Sequence, residues 1–257
     1  MTGEAGKKTI VRDFWNRNVN QLNQLRRDDI GTPDFFAAAE SLRFKYHYHL
    51  PPLFDRISQE YPRGRLIEVG CSMGNDTVQL ARRGLAVTGV DLTQSAVDLI
   101  RQRFSEQKLA GEFHVADAEQ LPLDDELFDV AYSFGVLHHT PDTGRAVAEI
   151  HRVLKVGGKA YVMLYHKRSL NWLMHRLTGV PFDGSRQDPC PVEKTYTRDD
   201  ARTLFHKFEN VQVTIDYLCG TGWGVFGKMI PTSLHRWLGR RIGWHLMIEG
   251  TKMASSS

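Results

Sequence analysis

Leu66-Ile67-Glu68-Val69-Gly70-Cys71-Ser72-Met73-Gly74 is the stretch that decides the architecture. Apolar residues of strand character run into a turn with glycine at both ends, and the helically spaced segment Asn75 to Arg83 follows. A strand that enters a helix through such a turn brings main chain close to a ligand and exposes the N–H groups of the helix start. The pattern alone is ambiguous. It also fits the G-x-S-x-G elbow of α/β-hydrolases, with Ser72 as nucleophile, but that elbow needs several strands before it, and here it follows the first recognisable one.

Outward from this turn, short apolar strands alternate with helical segments, which is how a parallel sheet with crossover helices reads. Gly84 closes the first helix, Ala86 to Asp91 is the second strand, and Thr93 caps a helix over Gln94 to Glu106. Gly111 to Asp117 and Phe128 to Phe134 are the third and fourth strands. A helix over Thr143 to Leu154 stops at Gly157-Gly158, and Lys159 to His166 is the fifth strand. Thr197 caps a helix over Arg198 to Phe208, Val211 to Leu218 is the sixth strand, and Trp244 to Lys252 the last.

Glu68, Asp91 and Asp117 stand at three consecutive strand ends, along the carboxyl edge where doubly wound sheets bind ligands. A carboxylate at Asp91 is placed to accept hydrogen bonds from both hydroxyls of a ribose. Acids in a row suit a cationic or hydroxyl-rich ligand and repel a pyrophosphate. A sulfonium nucleoside with a free ammonium is therefore favoured over a dinucleotide, and a dinucleotide-dependent oxidoreductase on a related sheet is the weaker reading.

The chain resembles the class I S-adenosylmethionine-dependent methyltransferases, in the small-molecule branch with the ubiquinone and menaquinone methyltransferases. The resemblance runs from about Arg65 to Tyr165. It rests on the glycine turn, on Thr88-Gly89-Val90-Asp91-Leu92, on Val115-Ala116-Asp117-Ala118-Glu119-Gln120-Leu121-Pro122, on Phe128-Asp129-Val130-Ala131-Tyr132-Ser133 with Val136-Leu137-His138-His139, and on Leu154-Lys155-Val156-Gly157-Gly158. It implies a Rossmann-like α/β sheet of seven strands, the last inserted antiparallel, with an N-terminal helical cap over residues 1–62 and the methyltransferase domain over 63–257. Insertions are expected at about 167–196 and 219–243.

By the same resemblance, the cofactor is S-adenosylmethionine, leaving as S-adenosylhomocysteine, with no metal. Glu68 and Gly70 are expected against the methionine ammonium, Asp91 with Leu92 at the ribose, and Asp117 with Ala118 at the adenine. Ser72 and Gly74 complete the loop, and Ser133 and Phe134 border the methyl group. Ser72 stands where many members have glycine; its side chain either points away from the ligand or caps the helix.

A sulfonium carries its own leaving group, so in-line approach supplies most of the catalysis and a base is needed only for a protonated nucleophile. The candidates for orienting the acceptor or taking its proton are His138 and His139 beyond the fourth strand, and Tyr165 and His166 at the end of the fifth. Adjacent histidines diverge, and no third ligand stands at helical spacing, so His138 and His139 do not read as a metal pair.

The N-terminal third carries helically spaced apolar residues, Val11, Phe14, Trp15, Val19 and Leu22. After Gly31-Thr32-Pro33-Asp34 come Phe35, Phe36, Leu42, Phe44, Tyr46 and Tyr48, and Pro51-Pro52 starts a third helix. This region reads either as plain packing surface or as a lid offering Phe14, Trp15, Arg43 and Tyr46 to the pocket. A helix over Ser169 to Leu177 and the polar loop Pro181 to Thr195 are where substrate contacts are expected, while Lys167, Arg168, Arg176 and Arg186 read as a solvated face. Gly220 to Gly227 is glycine-rich and aromatic, and the basic segment Ile230 to Ile242 reads as a cap beside the last strands rather than a membrane anchor.

The chain has 257 residues, 41% of them apolar, with a net charge of +3 and three cysteines, Cys71, Cys190 and Cys219. Dispersed charge argues against nucleic acid, and few cysteines argue for a reducing cytoplasm. No stretch reaches the ~18 apolar residues of a membrane span. The expected partner is a small acceptor, aromatic, quinone-like or thiol. The fourth strand lacks the N/D-P-P-Y/F motif of nucleobase enzymes and the acid cluster of metal-dependent catechol enzymes. The alternative is a protein that binds the cofactor or its product as a sensor without turnover.

Overall fold

The computed structural model describes residues 4–18, 29–218 and 230–254. Val19, Leu22, Cys219 and the Gly220 to Gly227 segment lie outside them. Three helices come first: α1 (Glu4–Arg17), α2 (Pro33–Tyr46) and α3 (Leu50–Glu60). Thr32 caps α2 by accepting from the Phe35 N–H, with Pro33 in the first turn, where its missing N–H costs nothing.

The sheet alternates with helices as the sequence indicates: β1 (Arg65–Val69), α4 (Asn75–Arg82), β2 (Ala86–Asp91), α5 (Gln94–Glu106), β3 (Glu112–Val115), β4 (Phe128–Phe134), α6 (Thr143–Val153) and β5 (Leu154–Tyr165). Then come α7 (Leu170–Thr178), α8 (Arg198–Leu204), β6 (Glu209–Asp216), α9 (Thr232–Ile242) and β7 (His245–Thr251). The seven strands lie in the order β3-β2-β1-β4-β5-β7-β6. β7 runs antiparallel to both β5 and β6, and the other pairings are parallel. The order reverses beside β1, and the ends of β1 and β4 therefore open onto a crevice.

Two apolar layers hold the sheet from its two faces. Ile67, Val69, Ala131 and Val162 belong to one, with Ile150 of α6. Leu66, Val130 and Tyr132 belong to the other, with Phe54 and Ile57 of α3 and Ile100 of α5. Alternate residues of one strand thus feed opposite cores.

Two boundaries differ most from the sequence reading. β5 starts at Leu154, directly after α6, because Leu154 already pairs with Phe128 before the register shifts and Lys159 takes up Val130; Gly157, at φ 82°, lies within the strand instead of ending a helix. α8 ends at Leu204 rather than Phe208, since Phe205 and Phe208 both turn into the core. α9 packs closely on the end of β6: a Cβ at Gly239 would lie 3.0 Å from the Tyr217 nitrogen. Among the described residues, no helix is long and apolar enough to cross a membrane.

Candidate active site

Val69 ends β1 against the glycine turn, and the turn is fixed from β2. The N–H groups of Gly70 and Cys71 both donate to the Val90 carbonyl, at 2.7 and 3.0 Å. Gly70 sits at φ 83°, and a Cβ there would fall 2.1 Å from a Val136 methyl, so only glycine fits. Ser72 has φ 48°, in the left-handed region that accounts for the glycine common at this position. It does not cap α4; the N-cap residue is Gly74, at φ 80°. We expect Ser72→Gly to raise stability by roughly 0.5 kcal/mol in a denaturant titration, relief of the left-handed strain outweighing the extra chain entropy.

Asp91 closes this turn from the neighbouring strand. Its Oδ2 accepts from the Ser72 N–H at 3.0 Å, and its Oδ1 accepts from the Thr93 N–H and hydroxyl at 3.0 and 2.9 Å. Burial raises its carboxyl above the ordinary aspartate value, against the pull of these donors. The carboxylate lines a cleft enclosing about 900 Å³, open solvent at its entrance included. Val69, Val90 and Ala116 give it apolar wall, and Leu92, Asp117, Ala118, Phe134, Val136 and His139 also line it.

The first helix forms another wall, through Val11 and Trp15. Lys8 of α1 reaches two acids, Asp117 Oδ2 at 2.6 Å and Glu119 Oε2 at 2.7 Å. Lys8→Met should therefore loosen α1 by roughly 1 kcal/mol, seen as about fivefold faster amide exchange in that helix with the sheet unaffected. Of the other expected lid residues, Phe14 is buried against Trp15, and Tyr46 lines neither this cleft nor the compartment beside it.

That second compartment, of about 350 Å³, shares Gly70, Ser72 and Phe134 with the first and is polar. Arg43 enters it from α2, its Nε 2.9 Å from Asp76 Oδ1 and its Nη2 2.5 Å from Asp76 Oδ2. Tyr132 donates to the same Asp76 at 2.8 Å. Burial opposes the Arg43 charge, and Asp76 more than restores it. Glu68 accepts from the Thr77 hydroxyl at 2.5 Å; burial, then the Asp76 carboxylate, push it well above the usual carboxylate range.

Ser133 is fully buried and spends its hydroxyl on the Val69 carbonyl, at 2.9 Å, stitching β4 to β1. His138, His139 and Tyr165 come together. The His138 ring lies 3.7 Å from that of Tyr165 and 4.2 Å from that of His139, and the Tyr165 hydroxyl donates to Asp183 at 2.8 Å. His139 Nε2 lies 3.5 Å from Asp183, and its Nδ1 2.8 Å from the Val192 carbonyl. Burial lowers the pKa of both histidines. His166 turns the other way, to the Gly243 carbonyl at 3.0 Å, and lines neither compartment. Lys167, Arg168, Arg176 and Arg186 are exposed.

Residues 67–162 match the family described as a methyltransferase domain. By that match and by its fold the chain is similar to the class I S-adenosylmethionine-dependent methyltransferases. The chain is 32% identical over 117 residues to a ubiquinone biosynthesis O-methyltransferase of Coxiella burnetii, covering 46% of this chain and 50% of that one. It is 32% identical over 161 residues to a malonyl-[acyl-carrier protein] O-methyltransferase of Serratia marcescens, covering 63% of this chain and 61% of that one. The chain thus spans about half the length of the ubiquinone relative. Its fold resembles a Thermotoga maritima S-adenosylmethionine-dependent methyltransferase described as a possible histamine N-methyltransferase, with TM-score 0.66 and 19% identity over 94% of this chain and 99% of that one.

Sequence reasoning missed three histidines that the fold gathers at Phe134: His47, His49 and His245. His47 and His49 come from one turn and His245 from the last strand, so no periodic signal marks them as a group. Phe134, a strand end bordering both compartments, was the available pointer.

Proposed function

We propose that this chain transfers the methyl group of S-adenosylmethionine to a small-molecule acceptor. The observation that carries this reading is Asp91, a carboxylate fixed by the glycine turn itself at the edge of a cleft with apolar walls. Such a cleft takes an adenosine, with Asp91 beside Leu92 at the ribose hydroxyls and Asp117 with Ala118 at the base. The adjoining polar compartment suits an amino acid end: Glu68 and the Gly70 carbonyl are acceptors for an ammonium, and Arg43 is a counter-charge for a carboxylate.

The sulfonium, when bound, supplies a methyl group already on a good leaving group. What the chain must do is orient the acceptor and keep water away. Phe134 lines both compartments and is assigned to the transferred group, while Trp15 and His139, in ring contact with each other, line the cleft. His138, His139 and Tyr165 are the acceptor-orienting candidates, and His166 is assigned to holding the Gly243 turn. An aromatic or quinone-like acceptor fits a wall this rich in rings.

Calorimetry with S-adenosylhomocysteine tests the site, and release of S-adenosylhomocysteine in the presence of small acceptors tests the activity. Binding of a nicotinamide dinucleotide with no affinity for S-adenosylhomocysteine would overturn the reading.

A further inference from the structure

α7 and α9 stand at one end of two neighbouring strands. β5 runs out into α7, and α9 leads through Gly243 into β7, whose His245 pairs with Tyr165 at the end of β5. Aromatic rings tie the two approaches together. Trp244 stacks on Tyr165 at 4.3 Å and lies 4.6 Å from Phe182, whose ring is 4.7 Å from that of His175 in α7. Because β5, β4 and β1 run parallel, this is the same sheet edge onto which the cleft opens.

Both helices leave large apolar side chains in solvent. α9 meets the end of β6 through Gly239, and Leu234, Trp237 and Arg241, spaced by three and four residues, share the side away from it. On that helix Leu234 and Ile242 are exposed and Trp237 is 52% exposed. On α7, Leu173, Met174 and Leu177 are exposed, Leu177 to 73%. A single exposed leucine is ordinary, but six large apolar residues on two short helices mark a contact surface. α9 is thus a cap on its Gly239 side only.

The charge around these residues has one sign. Residues 166–180 and 230–244 contain no Asp or Glu, although the chain holds 30. Instead they carry Lys167, Arg168 and Arg176, and Arg236, Arg240 and Arg241, all exposed. Asp200 of α8 faces Lys167 and Arg168. Arg176, Arg236 and Arg241 lie over the rings of Trp172, Tyr48 and Trp237, at 5.7, 4.7 and 4.0 Å.

We propose that α7 and α9 dock the protein on an anionic lipid surface. A headgroup layer offers many phosphates without fixed positions and an acyl boundary just behind them, which matches arginines set among exposed leucines and a tryptophan. Arginine stems lie along apolar surface while their guanidiniums reach the phosphates, and the indole of Trp237 suits the boundary itself. Phosphates alone, as on a nucleic acid, would leave Leu177 and Leu234 in water. The contact is peripheral: with 11 residues, about 16 Å, α9 is too short for a ~30 Å hydrocarbon core and lies along the surface. The inference does not rest on the methyl-transfer reading. Together the two place the cleft on the docked edge, where an acceptor dissolved in lipid is delivered to it.

The test sediments the full chain with vesicles of phosphatidylcholine alone and of phosphatidylcholine with about 30% phosphatidylglycerol. Binding to the anionic vesicles is expected about tenfold or more above the neutral ones, and to weaken as added salt screens the headgroups. The double variant Arg240→Gln/Arg241→Gln should weaken it about tenfold, and Trp237→Ala and Leu177→Ser about fivefold each. All four side chains are exposed, so thermal midpoints stay at the wild-type value and report intact folding. No binding, equal binding to neutral vesicles, or wild-type affinity in any of these three variants overturns the proposal. An acidic protein is the competing occupant, probed with soluble poly-glutamate: binding it as tightly as vesicles of equal charge overturns the proposal in that partner's favour.

Discussion

Asp76→Ala is expected to lower the free energy of unfolding by about 3–5 kcal/mol, the cost of leaving one member of a buried ion pair uncompensated. Asp76 is 3% exposed and Arg43 7% exposed, so solvent cannot take over the lost contact. Two oxygens of one carboxylate accept from Nε and Nη2 along one edge of the guanidinium, and Tyr132 donates to the same group. Removing Asp76 strands a guanidinium and a phenol together. The acid also lies in the first turn of α4, where it complements the helix dipole.

The double variant Arg43→Met/Asp76→Leu separates the two costs. Because desolvating a pair offsets much of its attraction, replacing both partners by apolar groups should recover at least half of the single-variant loss. Urea titration of the single and double variants, at matched slope, measures both numbers. Equal loss in the two would show that the pair itself, not the orphaned charge, holds α2 to α4.

Local signals carried most of the fold. Thr93 before a helically spaced run gave α5 its start, and the structure has Thr93 accepting from the Ala96 N–H at that position. The glycine turn and the acids at strand ends were likewise legible, because a strand end, a turn and a helix start are neighbours in the chain. Strand alternation gave less than it promised at the end of β5. Tyr165 and His166 are both strand-end residues, but successive side chains leave a strand on opposite sides, and only Tyr165 reaches His138.

What the sequence hid depends on pairing across the chain. Arg43 and Asp76 belong to different helices, and nothing in either helix announces the other. The histidines around Phe134 come from a turn between helices and from the antiparallel strand, so their meeting depends on β7 lying beside β5. Ser72 shows the reverse case: its identity looked irregular, and the backbone angle explains it.

The second large effect falls on binding. Asp91→Ala should weaken S-adenosylhomocysteine by roughly 2–4 kcal/mol, on the order of 30- to 1,000-fold, from two separate losses. Charge-assisted hydrogen bonds to a ligand contribute about 1.5–3 kcal/mol in all when the carboxylate is removed. The remainder comes from the turn, because the Ser72 N–H loses its acceptor while Ser72 stays at φ 48°, and the N–H groups facing the ligand lose their fixed direction. Asp91→Asn distinguishes the two contributions. An amide oxygen still accepts from one main-chain N–H but offers no charge to the ribose hydroxyls, so its affinity should lie between wild type and alanine. Calorimetry on the three proteins decides it: an asparagine variant equal to wild type would remove the carboxylate charge from the ribose site, and an alanine variant equal to wild type would remove Asp91 from the cofactor altogether.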